Sequence, residues 1–229
     1  MLPLRDNIAT RRAPVVTVGL IAANAAVWLW ELHSRGATID RYAYYPCSVQ
    51  GPCLGLAAHH HLPAWEGAFS SMFMHASWVH ILGNMLFLWI FGNNVEDALG
   101  RLRFLLWYLA AGLAATFTQT WVTLHYAGLA DASVPNLGAS GAIAGVLGAY
   151  LLLLPAANVL TLVGFFIIRV PAFLFLGIWF LLQLWEGGFA VTHPADSGGV
   201  AFFAHVGGFL FGAATVYLVA RRPPLRRYR

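Results

Sequence analysis

The sequence predicts an all-α, polytopic membrane protein: a bundle of six transmembrane helices with both termini in the cytoplasm. Of its 229 residues, 59% are hydrophobic and only 10% are charged, whereas a soluble domain carries roughly 25% charged residues. The apolar residues form six long runs, and most of the basic residues, all of them Arg, lie near the ends of these runs. This composition argues against a soluble enzyme, a nucleic-acid-binding protein and a disordered chain.

Six apolar runs are the candidate membrane-crossing helices. A helix needs ~20 apolar residues to cross the hydrocarbon core, and fewer where the bilayer thins. We interpret the first run as an uncleaved span rather than a signal peptide, because several more runs follow it. An eleven-residue apolar segment, 158–168, is too short to cross alone, and we expect it to be interfacial or re-entrant. The predicted spans are 15–30, 69–92 or 76–92, 104–124, 138–155, 171–185 and 200–220.

The distribution of Arg residues predicts the orientation. Six spans place both termini on one side, and a cytoplasmic N-terminus then puts 11 of the 13 Arg residues inside, leaving only Arg35 and Arg41 outside. This agrees with the positive-inside rule. The predicted organisation is a cytoplasmic segment (1–14), a membrane domain (15–220) with an outer loop at about 33–67, and an Arg-rich cytoplasmic tail (221–229). We interpret the tail as a signal that ends the last membrane span, and binding to anionic lipid head groups is the alternative.

Two polar residues, Ser140 and His205, lie near the starts of the fourth and sixth spans. Both of these spans run from outside to inside, and at ~1.5 Å per residue both side chains lie ~6–8 Å below the outer boundary. We therefore expect Ser140 as a nucleophile and His205 as its general base. Ordinary helix packing and a histidine bonded to a carbonyl group are the alternatives. Small residues around both would let the two helices approach closely, namely Gly138, Gly141, Gly145, Gly208 and Gly212.

The second span carries another polar pair. His80 and Asn84 are separated by four residues and therefore share a helix face. They either form a hydrogen bond to another helix or donate hydrogen bonds that stabilise the oxyanion of a tetrahedral intermediate. The role of His75 is harder to predict. A structural role, in which its side chain forms a hydrogen bond with the backbone of a loop, is one interpretation. No Asp or Glu lies in the interior of a predicted span, so we expect a Ser-His dyad rather than a triad.

These residues resemble the motifs of the rhomboid intramembrane serine proteases. The resemblance rests on Gly138-Ala139-Ser140-Gly141, on His205 followed by Gly208 and Gly212, and on His80-x-x-x-Asn84, and it covers about residues 14–220. It implies a six-helix bundle with a water-filled cavity open to the outside, and substrates that are single-span membrane proteins. Ser140 would be the nucleophile and His205 the base, and Asn84, His80 and the Ser140 backbone N–H would bind the oxyanion. It also implies that the fifth helix and the loop after it gate substrate entry, and it implies no cofactor.

One position departs from the pattern of the family. Some members carry an aromatic residue one turn after the serine, stacked on the catalytic histidine, and here that position is Ala144. Trp179, Phe180 or Phe203 are the candidates to replace this contact.

The first outer loop contains Cys47, Cys53 and the histidine run His59, His60 and His61. A disulfide between the two cysteines fits an oxidising compartment. A metal site and free thiols are the alternatives, although the spacing matches no standard zinc pattern. We expect no metal, and we interpret the histidine run as a solvated loop.

Three hypotheses for function follow. The first is an active intramembrane serine endopeptidase in a bacterial plasma membrane, whose partners are transmembrane substrates and the lipid bilayer. The second is a catalytically inactive rhomboid-like protein that binds transmembrane segments. The third is a small transporter or channel, for which charges within the spans or paired discontinuous helices would be expected. The sequence leaves the oligomeric state open.

Overall fold

The computed structural model describes residues 1–34, 37–55, 62–192 and 200–221. The predictions for Arg35, for His59, His60 and His61, and for all of the Arg-rich tail after Arg221 lie outside these residues. The helices are α1 (Val15–His33), α2 (Ala37–Tyr42), α3 (Ala64–Ser70), α4 (Trp78–Leu99), α5 (Arg101–Tyr126), α6 (Leu129–Ala132), α7 (Ser140–Leu153), α8 (Ala172–Thr192) and α9 (Phe202–Val219). A π-helical turn, Leu88–Gly92, lies within α4.

Each of the six apolar runs overlaps one of the longer helices, namely α1, α4, α5, α7, α8 and α9, and several of these helices extend beyond the run. Among the described residues, three helices are long and apolar enough to cross a membrane, namely α1, α8 and α9. A fourth candidate is the pair formed by α4 and the helical segment Ala64–Phe73, which are bent by 81° relative to each other. The count of six spans and the orientation of the termini therefore remain predictions.

Helix α7 is short, and other helices surround it. It has 14 residues, and Gly141 to Tyr150 are all buried. A helix of this length is only ~21 Å long, less than the ~30 Å of the hydrocarbon core. Its main neighbours are α5 and α9. Protein rather than lipid thus covers most of the helix that Ser140 begins.

Glycines bring the backbones of α7 and α9 together. A Cβ atom at Gly208 would overlap the carbonyl oxygen of Gly141, and one at Gly212 would overlap that of Gly145. In the opposite direction, a Cβ atom at Gly148 would overlap the carbonyl oxygen of Phe209. A larger residue at any of these positions would force the two helices apart, so the glycines set the spacing of the helices that carry Ser140 and His205.

The prediction of an all-α fold is wrong in one region. A three-stranded antiparallel sheet contains β1 (Leu2–Asp6), β2 (Asn158–Val163) and β3 (Phe166–Pro171), in the order β1-β2-β3. The short apolar segment predicted to be interfacial or re-entrant is this β2–β3 hairpin. Its two-residue turn begins at Gly164, whose positive φ of 59° suits a tight hairpin. Short apolar runs fit strand and helix equally well, and the third strand comes from the distant N-terminus.

One end of the bundle, which we call the sheet end, gathers chain segments that are far apart in sequence. The Glu96 carboxylate near the C-terminus of α4 accepts hydrogen bonds from the backbone N–H groups of Val16 and Thr17 at the start of α1. Beyond the C-terminus of α9, the Arg221 N–H donates to the Ala98 carbonyl oxygen. The segments predicted to be cytoplasmic thus meet at one end, and Ser140 and His205 lie towards the other, the site end.

Candidate active site

The loop before Ser140 is fixed by backbone hydrogen bonds. Tyr44 and Asn136 exchange two N–H···O bonds of 3.1 and 2.7 Å, and the Gly138 N–H donates to the Ser71 carbonyl oxygen at 2.9 Å. Gly138 has a φ of 127°, and a Cβ atom there would lie 2.8 Å from the His80 ring. Both observations require glycine at this position. Ser140 then begins α7 with its side chain half-buried.

The structure brings Ser140 and His205 together. His205 is the fourth residue of α9, and its Nε2 atom lies 2.8 Å from the Oγ atom of Ser140. The glycine contacts between α7 and α9 hold the two backbones at this spacing. A hydroxyl group at hydrogen-bond distance from an imidazole nitrogen is the arrangement of a nucleophile and its general base.

The second ring nitrogen of His205 contacts α8. Its Nδ1 atom lies 2.6 Å from the Oε1 atom of Gln183. An amide oxygen can only accept a hydrogen bond, so Nδ1 carries the proton in this arrangement. Nε2 then presents its lone pair to the hydroxyl group of Ser140, which is the tautomer that a general base requires.

Trp179 is the aromatic side chain that the structure places against His205. The Trp179 ring lies 5.9 Å from the His205 ring, centroid to centroid. Phe180 stacks instead on Phe209 at 4.4 Å. Ala144 is fully buried, and its Cβ atom would be only 3.4 Å from a Cβ atom at Gly208. The backbone of α9 therefore occupies the space that a large side chain at position 144 would need.

His80 faces Ser140 across the space beside Gly138. The Ala76 N–H donates to Nδ1 of His80 at 3.4 Å, so the proton of a neutral ring is on Nε2. The same hypothetical Cβ atom at Gly138 would lie 2.8 Å from this Nε2 atom and 3.6 Å from the Oγ atom of Ser140. His80 thus points an N–H donor into the space next to the hydroxyl group.

Asn84 makes a different contact from the one its predicted role suggests. Its amide nitrogen lies 3.0 Å from Nε2 of His75. The backbone N–H of His75 in turn donates to the carboxylate of Glu31, at 3.2 and 3.3 Å to the two oxygens. Glu31, His75 and Asn84 are all buried. This contact fixes the Asn84 side chain on His75, and no hydrogen bond joins it to Ser140 or His80.

A small cavity with a mixed polar and apolar lining adjoins Ser140. Its volume is about 40 Å³, which is room for about two or three waters, since each needs ~10–15 Å³. Gln119 of α5 also accepts a hydrogen bond from the Ala204 N–H at the start of α9. The polar residues that line the cavity are Ser71, Thr116, Gln119, Asn136 and Ser140.

Sequence reasoning missed several of these residues. Gln183 is the one amide side chain in the otherwise apolar run 171–185, and a polar residue inside a span is a functional candidate by default. The sequence alone could therefore have indicated Gln183 as a candidate. Glu31 carried a weaker signal because it lies at a helix end, where charged residues are common. Thr116 and Gln119 lie among other polar residues of α5 and stand out only once the cavity is seen.

Cys47 and Cys53 form a disulfide bond at the site end of the molecule. The bond closes a loop next to the 3-10 turn Pro46–Val49, and both cysteines are buried. Ser133 Oγ accepts a hydrogen bond from the Leu54 N–H, so the loop also contacts the segment that leads towards Ser140.

Comparison with known proteins identifies relatives of this chain. The Rhomboid domain family model matches residues 63–222. The chain is 27% identical to Rhomboid protein 1, mitochondrial, of Saccharomyces cerevisiae, over 92% of this chain and 55% of that protein. It is 30% identical to the human Presenilin-associated rhomboid-like protein, mitochondrial, over 85% of this chain and 45% of that protein. Identity to the YdcA protein of Bacillus subtilis is 32%, over 67% of this chain and 70% of that protein.

The chain spans about half the length of the two mitochondrial relatives. The match to the Rhomboid model nevertheless covers most of this chain, from α3 to the end of α9. The mostly helical fold and the apolar helices agree with that match, and they identify an integral membrane protein. The chain belongs to the rhomboid family.

Proposed function

We propose that this protein is an intramembrane serine endopeptidase that hydrolyses peptide bonds in or near the transmembrane helices of other membrane proteins. One observation carries the proposal: Nε2 of His205 lies 2.8 Å from Oγ of Ser140. Both side chains come from helices whose backbones are in contact, so the pair is already assembled without substrate. Membership of the rhomboid family makes a protease of this kind the expected activity.

In the proposed reaction, Ser140 and His205 carry out acyl transfer. The Oγ atom of Ser140 attacks the carbonyl carbon of the scissile peptide bond while Nε2 of His205 takes the hydroxyl proton. The tetrahedral intermediate collapses when the C–N bond breaks and His205 returns this proton to the leaving amine. The acyl group is then attached to Ser140 as an ester.

Three N–H donors are proposed to bind the oxyanion that forms. The backbone N–H of Ser140 lies in the first turn of α7, where N–H groups have no acceptor within the helix. The Nε2–H group of His80 points into the space beside Ser140. Asn84 would use the amide hydrogen that is not directed at His75. Such donors typically contribute ~10²–10³-fold each to kcat.

Deacylation needs water, which hydrocarbon does not supply. The cavity beside Ser140 has room for about two or three water molecules, and its lining includes polar side chains such as Thr116 and Gln119. His205 would take a proton from one of them as the hydroxide attacks the ester, and then return the proton to Oγ of Ser140. The products are the second peptide fragment and the free enzyme, so all atoms and protons are accounted for.

The orientation and the substrates belong to the same proposal. The Arg-rich sheet end is placed in the cytoplasm, and the site end, which carries the disulfide, faces an oxidising compartment. We assign the protein to a bacterial plasma membrane, as one of its relatives is from Bacillus subtilis. Single-span membrane proteins would be the substrates, entering the site past α8.

The decisive experiment replaces Ser140 by Ala in protein reconstituted into liposomes with a single-span substrate. We expect kcat to fall on the order of 10⁴-fold or more, as for other serine proteases that lose the nucleophile. Ser133→Ala is the matched control, because this serine lies outside the cavity, and it should cleave like the wild type. Undiminished cleavage by Ser140→Ala would refute the proposal. A wild type that neither cleaves nor reacts with a fluorophosphonate would instead favour a non-catalytic binding protein.

A further inference from the structure

Helix α8 contributes a polar side chain to the site that the proposed dyad mechanism does not use. We propose that Gln183 is a positioning residue: it holds His205 in the tautomer that acts as a base, and it thereby makes activity depend on the position of α8. This inference rests on the proposed function and adds a third member and a means of regulation to it.

The hydrogen bond of 2.6 Å between Gln183 and His205 carries the first part of the inference. A neutral imidazole has one N–H donor and one acceptor nitrogen, and their order is set by the partner of the other nitrogen. The Oε1 atom of Gln183 can only accept, so Nδ1 is the donor. Without Gln183 the proton could also occupy Nε2, and that form cannot take the proton of Ser140.

Within the described residues, the recorded polar partners of the His205 ring are Ser140 and Gln183. No described carboxylate is among them, so Gln183 occupies the place that an Asp holds in a triad. The ring contact with Trp179 does not determine which nitrogen of His205 carries the proton, because the Trp179 ring offers no acceptor to Nδ1. The tautomer therefore depends on one residue.

Activity would depend on the position of α8 because the residues that contact His205 from this side all lie on α8. Trp179, Gln183 and Gly187 are spaced by four residues and lie on one face of α8. Trp179 and Gln183 contact His205, and a Cβ atom at Gly187 would lie 3.3 Å from the Cβ atom of Phe202. This face therefore meets α9 along its outer part.

Helix α8 is bound less firmly than the pair that carries the dyad. In α8 17% of the span is buried, against 28% in α9, and large apolar side chains such as Leu181 and Trp185 are exposed. The glycines at which a Cβ atom would overlap a backbone carbonyl oxygen of a neighbouring helix, Gly148, Gly208 and Gly212, join α7 to α9, whereas Gly187 of α8 meets only side chains of α9. A displacement of α8 would therefore withdraw Gln183 while Ser140 and His205 stay on helices that remain together. The site would be fully active only with α8 in contact with α9.

The test compares two substitutions of Gln183 in the reconstituted full-length protein. Gln183→Leu removes the acceptor at similar volume. We expect kcat to fall by about 10- to 100-fold, as for other partners that orient a functional histidine, with KM changed less than about twofold. Gln183→Glu keeps an acceptor for Nδ1–H and should restore most of kcat. The rate of Ser140 labelling by a fluorophosphonate, measured without substrate, should follow kcat in all variants.

Two controls separate this role from a structural one. Leu182→Ala changes the neighbouring lipid-exposed residue of α8 and should leave kcat and labelling unchanged. Melting temperatures check folding, and Gln183→Met is the second acceptor-free variant should Gln183→Leu not fold. Equal losses in Gln183→Leu and Gln183→Glu, or wild-type kcat in the acceptor-free variant, would overturn the inference. If the Gln183 variants overturn the inference but Ser140→Ala is inactive in the same assay, the proposed function still holds. Cleavage that does not depend on Ser140 would overturn both.

Discussion

At the scale of residues, the two histidines of the proposed site are oriented by uncharged groups. Gln183 holds His205 through an amide oxygen, and His80 is oriented by the backbone N–H of Ala76. A carboxylate in the place of Gln183 would have to lose its hydration, which costs several kcal/mol inside protein or lipid. An amide oxygen accepts the same proton at a smaller desolvation cost. This explains how a histidine can be fixed in a membrane without a triad.

Glu31 is the exception, since it is an acidic residue that is buried beside His75. Its carboxylate accepts the backbone N–H of His75, whose ring contacts Asn84. Glu31→Leu leaves this buried N–H without its acceptor, and we expect the free energy of unfolding to fall by about 1–3 kcal/mol. Because Asn84 would lose its support, kcat should fall as well. SDS titration in micelles measures the first effect, and substrate cleavage the second.

Two variants complete that experiment. Glu31→Gln retains an acceptor oxygen and should lose clearly less stability than Glu31→Leu. Glu186→Leu removes an exposed carboxylate from α8 and should change stability little. The role assigned to Glu31 would be wrong if Glu31→Leu unfolded at the same SDS fraction as the wild type.

The sequence indicated part of this site and not the rest, for a physical reason. Ser140 and His205 were recognisable because two polar side chains at equal depth in apolar spans are costly unless they interact. The partners of Gln183 and Glu31 depend on how α8 and α1 are rotated about their axes. Hydropathy does not determine that rotation, because neither helix has a strongly one-sided apolar face. Such contacts become visible only in three dimensions.

At the scale of elements, the spacing of α7 and α9 is the feature on which the site depends most, and it can be tested by one methyl group. In Gly208→Ala, the new Cβ atom would overlap the carbonyl oxygen of Gly141, so the two helices must separate. A misplacement of ~1 Å costs on the order of 10²-fold in rate, and we expect a loss of about that size in kcat. Cleavage assays and melting temperature measure the effect.

Gly19→Ala is the matched control for this substitution. A Cβ atom at Gly19 would have no heavy atom within 4 Å, and alanine is favoured over glycine inside a helix by about 1 kcal/mol. This variant should be active and at least as stable as the wild type. Full activity of Gly208→Ala would show that the α7–α9 contact does not set the geometry of Ser140 and His205.

The elements also differ in how well they could be predicted. Helices α1, α8 and α9 could be predicted from long apolar runs, because a helix that crosses lipid needs such a run. The sheet was missed because β2 and β3 are short and mostly apolar, and β1 lies more than 150 residues away from its partner strand. Strand pairing over such a separation leaves no periodic signal in the sequence.

At the scale of the whole molecule, the two ends have different chemistry. The sheet end joins the N-terminal strand, the start of α1 and the segment after α9, and it carries Arg5, Arg101 and Arg169. The site end carries the disulfide and the cavity beside Ser140. Segments that are separate in sequence thus share one end, as expected for a chain that changes direction at each long helix.

This polarity predicts the orientation in the membrane. Cys47 and Cys53 are joined in a disulfide, so a single introduced cysteine would be the reactive thiol. Val134→Cys lies at the site end and Phe165→Cys at the tip of the β2–β3 hairpin, and both native side chains are exposed. In intact bacterial cells we expect an impermeant maleimide to label only Val134→Cys, because the Arg-rich sheet end should stay in the cytoplasm. Phe165→Cys should react once the membrane is permeabilised, which confirms that its thiol is accessible. Labelling of Phe165→Cys from outside, or of both positions equally, would contradict the orientation, and Ser140 would then not open towards the outer face.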